Sequence, residues 1–165
     1  MELDWLDDGS VYLLLPERLL EAWCGVGSDD YERACAASDN WLNKLPVGDG
    51  TGLLLGGDPG MALAVPDEAG LVVIRWLFAN DEHELVAFAL RGDGVVRTEP
   101  DFVFDNLDGR WRMFNAARPG RDSSHERCVS LPVGQVRVRT ALLESGPNSA
   151  IVHRFGRESE SRAAR

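Results

Sequence analysis

Leu71-Val72-Val73-Ile74-Arg75-Trp76-Leu77-Phe78 is the most continuously apolar run in the chain. It has the length of a strand and is too short for a helix that buries one face. In an extended backbone Val72, Ile74, Trp76 and Phe78 point one way, and Leu71, Val73, Arg75 and Leu77 the other. Both sides are mostly apolar, so the run reads as a central strand covered on both faces. Arg75 is the exception. Its guanidinium is expected to reach an edge or to pair with an acid.

Working outward, Met61 to Val65 is an antiparallel mate for this strand, joined through the turn Pro66-Asp67-Glu68-Ala69-Gly70. On the other side Asn80 and Asp81 cap a helix to about Leu90, with Leu85, Phe88 and Ala89 as its apolar positions, closed by Gly92 and Gly94. Nearer the N-terminus, Ser10 to Leu15 reads as a strand. Pro16 suits the first position of a helix carrying Leu19, Leu20 and Trp23, which ends at Gly25. Asp29 with Glu32 fits a capping box ahead of a second helix, Tyr31 to about Ala37. Trp41 to Leu45 and Leu53 to Leu55 read as strands around Gly48-Asp49-Gly50. In the second half Phe102 to Phe104, Trp111 to Phe114, Cys128 to Leu131, Gln135 to Leu143 and Ala150 to Phe155 all read as strands. Gln135 to Leu143 alternates, with Val136, Val138 and Thr140 on one face and Arg137 and Arg139 on a face that meets water. The expected fold class is α+β: a mostly antiparallel sheet, two or three short helices in the first half, and a β-rich second half. Residues 1–156 form one expected domain, with sub-halves at 1–92 and 93–156, and 157–165 a disordered tail.

Composition fits a globular protein: 165 residues, 44% hydrophobic and 27% charged. No apolar run approaches the ~20 residues of a membrane span. The N-terminus lacks the basic and hydrophobic segments of a leader, so a cytoplasmic location is expected. The net charge of −10 is unevenly spread. Residues 1–101 carry 20 Asp and Glu against 6 Lys and Arg, whereas residues 102–165 carry 7 against 11. An acidic first half argues against nucleic acid or an anionic membrane as its partner and favours a basic protein. Cys24, Cys35 and Cys128 have no metal-like spacing and are expected to be reduced and mostly buried.

Motifs for chemistry fail one by one. The glycines from Gly48 to Gly57 never fit G-x-G-x-x-G, and Asp58 stands where a phosphate loop needs lysine. Cys24 lacks the second cysteine of a redox pair. Asp105-Asn106-Leu107-Asp108-Gly109 breaks the alternation of oxygen ligands that calcium needs. His125 and Cys128 have ligand spacing without a second pair. No G-x-S-x-G elbow exists. No metal, cofactor or catalytic residue is expected.

One longer pattern stands out. Tyr12-Leu13-Leu14-Leu15-Pro16-Glu17 leads into Leu20-Glu21-Ala22-Trp23, then Asp30-Tyr31-Glu32-Arg33-Ala34-Cys35-Ala36, Leu45-Pro46-Val47-Gly48, and Leu53 to Pro59. Arg75-Trp76, the Asp81-Glu82-His83-Glu84-Leu85 helix, Val103-Phe104-Asp105 and Leu131 to Val138 follow in order. From about Asp4 to Phe155 the chain resembles immunity protein family 21 of bacterial polymorphic toxin systems. Asp30 to Ala36 with the later Leu-Pro-Val-Gly is the most specific part. Val11-Tyr12 and Asn115-Ala116-Ala117 depart from the pattern.

The resemblance implies a non-enzymatic inhibitor that binds a cognate toxin domain, and it transfers no site residues. Many such toxins are nucleases, which must present positive charge to phosphate. An acidic inhibitor would be steered to that surface. The candidate contacts are therefore acids outside the core strands, Asp7, Asp8, Asp29, Asp30 and Asp49, with Trp5 or Trp41 as an aromatic anchor. Asp29 and Asp30 also suit helix capping, and both tryptophans suit core packing. Two other readings stand beside this one: a small enzyme or ligand-binding domain with a site between the halves near His83, His153 or a cysteine, and a regulatory module for a non-toxin protein.

Overall fold

The computed structural model describes residues 2–9, 11–57 and 60–158. Most of the expected tail, residues 159–165, lies outside them. The fold is α+β and mostly β, built on two antiparallel sheets. The chain divides into two compact units, and neither is a continuous half of the sequence. One comprises residues 6–61 and 110–129, the other residues 1–5, 62–109 and 130–165.

The first unit holds strands β1 (Tyr12–Pro16), β2 (Leu42–Val47), β3 (Gly50–Leu55), β8 (Arg110–Asn115) and β9 (Glu126–Ser130). They lie in the order β2-β3-β1-β8-β9. β1 is central, and all five of its residues are buried. Leu13 and Leu15 join Leu54, Phe114, Trp23 and Ala34 in one core. The turns over that core differ from expectation. Pro16 ends β1, and Glu17–Ala22 forms a 3-10 helix, not an α-helix. Helix α1 spans Asp30–Ala36, and Asp29 stands at its N-cap without a side-chain cap. The expected capping box is absent, and the Ser28 hydroxyl accepts from the Asp30 amide at 3.1 Å. Trp23 is fixed inside by its indole N–H, which donates to the Ala116 carbonyl at 2.9 Å.

The second unit holds β4 (Ala62–Asp67), β5 (Gly70–Phe78), β6 (Val95–Thr98), β7 (Phe102–Asn106), β10 (Gly134–Ser145) and β11 (Asn148–Arg157), with helix α2 (Glu82–Arg91). The order is β4-β5-β11-β10-β6, and β7 also pairs with β10. The opening strand, β5, therefore sits second from an edge. It pairs with β4 as expected, and with β11 on its other side. The middle place goes to β11, the return arm of the long β10–β11 hairpin.

α2 buries Leu85, Phe88 and Ala89 against Val72, Ile74, Ala150 and Val152. Its ends are closed as the sequence suggests. The Asp81 carboxylate accepts the Glu84 amide at 2.8 Å, and Gly92 takes a φ of 75°, which a residue with a Cβ adopts only with strain. Arg154 adds a cap of its own, donating to the Ala89 and Leu90 carbonyls at 2.6 and 3.1 Å. Among the described residues no helix is long and apolar enough to cross a membrane.

Candidate protein-binding surface

The arginines of residues 110–127 return to a unit that holds half of the acids of residues 1–101. Arg118 pairs with Asp8 at 2.6 Å and with Asp122 at 3.1 Å. Arg112 pairs with Glu17 at 2.7 Å and approaches Glu126 at 3.5 Å. Arg110 meets Glu17 at 3.4 Å, and Arg121 meets Glu21 at 3.3 Å. Residues 6–61 and 110–129 together hold 12 acids and 8 bases, and the other unit 15 and 9. The charge contrast between sequence halves is therefore not a contrast between units.

The candidate acids are placed accordingly. Asp8 is half-buried in its pair with Arg118. Asp30 is buried, accepting from the Cys24 amide at 2.8 Å and from Arg33 at 2.8 Å. Burial pushes its carboxyl up, but hydrogen bonds from Arg33, the Cys24 amide and Ser28 outweigh that, and its pKa lies below the usual carboxylate value. Asp49 is exposed and pairs with Arg18 at 3.0 Å. Asp7 and Asp29 are exposed. Trp5 is half-buried, edge-on to Trp76 with centroids 5.4 Å apart, and packs against the α2 core. Trp41 is half-buried over Gly57, whose φ of 83° and missing Cβ let the indole approach. The two tryptophans belong to different units.

Two expectations about reactive groups are corrected. The three cysteines are free, but all are exposed. Of the two expectations for Arg75, the reach to an edge is the one that fails, because the residue is fully buried on β5. On the same sheet face, fully buried His153 has Nδ1 2.9 Å from the Thr140 hydroxyl, while Nε2 has no hydrogen-bond partner. Burial, helped by the Arg75 charge, drives its pKa well below that of an ordinary histidine.

Asp122, Ser124 and His125 form a short chain at the surface, but in the wrong order for nucleophilic catalysis. The Ser124 hydroxyl donates to Asp122 at 2.6 Å, and the His125 ring lies 2.9 Å from that hydroxyl. A base that activates serine must instead take the hydroxyl proton, with the carboxylate behind it. A surface cavity of about 370 Å³ is lined by Glu68, Ala69, Gly70, Leu131, Pro132 and Arg157, with Ser130, and by no histidine or cysteine. Among the described residues no group of three or more His, Cys, Asp or Glu could hold a metal.

The exposed apolar side chains were not anticipated. Phe78 is 58% exposed, Val95 55% and Val96 59%, with Leu77 and Leu90 also open. Phe78 ends β5 and pairs with Ser149 of β11; Ser149 faces Glu144 across the hairpin; the Glu144 amide donates to the carbonyl of Gly94, next to Val95. These positions lie at one end of the sheet, but Phe78 shares a face with Ser149 and Glu144, whereas Val95, opposite Leu143, lies on the other. Asp81, Glu82 and Glu84 follow Phe78 after Ala79 and Asn80, at the start of α2. Leu107 and Val133 are exposed elsewhere in the same unit, on adjoining turns.

A family model described as Immunity protein 21 matches residues 4–149. No curated protein and no solved structure matches the chain.

Proposed function

The chain belongs to the Immunity protein 21 family, and from that premise we propose that it neutralises a cognate toxin in the cytoplasm by tight non-covalent binding. The family match over most of the chain carries this reading. The net charge of −10 extends it to a basic toxin of the nuclease type, since a nuclease surface built for phosphate also attracts an acidic protein. Occupancy, not turnover, fits the groups present. The buried histidine is out of reach of a substrate, and the exposed Asp122-Ser124-His125 chain is wired in reverse.

Co-expression with the toxin domain encoded beside this gene tests the proposal. The expected result is rescue of growth with a stoichiometric complex on co-purification. Rescue by far fewer copies of the protein than of toxin would point to catalysis. No rescue and no complex would sink the reading altogether.

A further inference from the structure

We infer that Arg75, Thr140 and His153 form an acid-sensitive latch, closed while the imidazole is neutral, and that its protonation opens the six-stranded unit while the five-stranded unit stays shut. All three side chains are buried, and they share one face of three adjacent strands. Thr140 of β10 stands directly opposite His153 of β11, and Val73 of β5 stands opposite His153 on the other side, one place along that face from Arg75. Around them on the same face Val138, Ile151 and Phe155 are buried and apolar. The ring meets the Thr140 hydroxyl through Nδ1, and no acceptor waits at Nε2. A proton on the ring would therefore leave an N–H without an acceptor and place a second cation beside the guanidinium, out of reach of water.

No carboxylate is placed to offset that charge. Across the pairing, β4 offers only Ala62 and Ala64 to Arg75 and Val73, and β7 offers Phe102 and Phe104 to the same face of β10. On β6, Arg97 stands opposite Leu142 and is exposed; Glu99, whose amide donates to the Thr140 carbonyl, lies a further strand away from the ring. Arg137, Arg139 and Arg154 alternate to the opposite face, which α2 covers with its own charged ends. Among the described residues the Arg75 charge is the one that bears on the ring. In the five-stranded unit the buried side chain that titrates below neutrality is Asp30, and despite its burial the hydrogen bonds from Arg33 and the Cys24 amide keep it ionised to below the usual carboxylate value. Mild acid thus attacks the interior of one unit and spares that of the other.

Native-state hydrogen exchange of the full chain, followed by NMR at pH 7.5 and pH 5, tests this. The opened unit takes up the proton at an ordinary histidine pKa of about 6.5, so protection factors of the slowest amides in β10 and β11 should fall by up to roughly 30-fold over that range. Those in β1 and β3 should change less than threefold, and in His153→Gln the fall in β10 and β11 should vanish. The ring resonances of wild type, titrated directly, should stay those of a neutral imidazole to below pH 5, which keeps the test decisive if the variant does not fold. Equal loss of protection in both sheets would overturn the latch, as would a fall that persists in His153→Gln or a ring that titrates near 6.5 with protection unchanged.

Discussion

In the five-stranded unit the carboxylates of Glu17, Asp8 and Glu21 face arginines that arrive 93 to 110 residues later in the chain. On the rim of the six-stranded unit, Asp81, Glu82, Glu84 and Glu144 face water beside exposed Phe78 and Val95. Both groups look alike as letters in an acidic sequence. In the first, the charge is committed to holding distant segments together; in the second it is available to a partner. The comparison makes removal of an ionic partner costly in one place and silent in the other, except when toxin is added.

The largest effect is expected at Arg112. Its guanidinium serves Glu17 and Glu126, and all three side chains are more than two-thirds buried. Arg112→Met leaves two carboxylates largely out of water without their shared cation, which costs about 3 kcal/mol. Urea unfolding measures this as a lower midpoint at unchanged slope. Arg91→Met, which frees only the exposed Asp93, should leave the midpoint where it was. Equal midpoints for the two variants would erase the contrast.

Asp30→Asn comes next, at about 1 to 2 kcal/mol, because it weakens the acceptor for Arg33 and the Cys24 amide while keeping the shape. The pH dependence adds a sign. The folded pKa of Asp30 is depressed, so its contribution is complete above the unfolded value near 4 and is lost as pH falls through the folded one. The variant should therefore lose less stability than wild type on acidification below pH 4.

His153 asks the same question of the six-stranded unit's interior. Its folded pKa lies below the unfolded value of about 6.5, so the unfolded chain takes up the proton first as pH falls. Stability is whole above that value and declines below it, by up to about 1.4 kcal/mol per pH unit from this group. Thermal unfolding between pH 7.5 and 5 should fall more steeply for wild type than for His153→Gln, even though the variant starts lower. Parallel slopes would mean that the imidazole is not held neutral.

These tests track what could be read from the letters. The run Leu71 to Phe78, the β4 partner, α2 with its Asp81 and Gly92 ends, and the five later strands carry local signals: alternation, caps and turns. β6 had none, since Val95, Val96, Arg97 and Thr98 are all exposed and show no alternation. Sheet membership was equally hidden. β5 meets β11 about 80 residues away, and nothing local distinguishes that pairing from another. The same distance hid the site. Asp8 is committed by Arg118, and Arg75 is buried by a fold that alternation alone could not foresee. Alternation was carried through to Phe78, but the register shift opposite Ser149 and Ala150 breaks it there and turns Phe78 off the face of Ile74 and Trp76.

The smallest effect on stability, and the one that sharpens the comparison most, is expected for the double variant Glu82→Gln, Glu144→Gln. Neither carboxylate pairs with lysine or arginine among the described residues, and the Ser149 hydroxyl reaches Glu144 only at 3.5 Å. The unfolding midpoint should not move. What should change is the approach of a basic toxin. Two fewer charges beside Phe78 weaken long-range attraction, so association at 50 mM salt should slow roughly threefold, while dissociation is little altered. At 500 mM salt the Debye length falls to about 4 Å, and the two proteins should associate at the same rate. If low-salt association is unchanged while Arg112→Met unfolds early, the acids of the rim do not steer a partner, although those of the other unit still hold its strands.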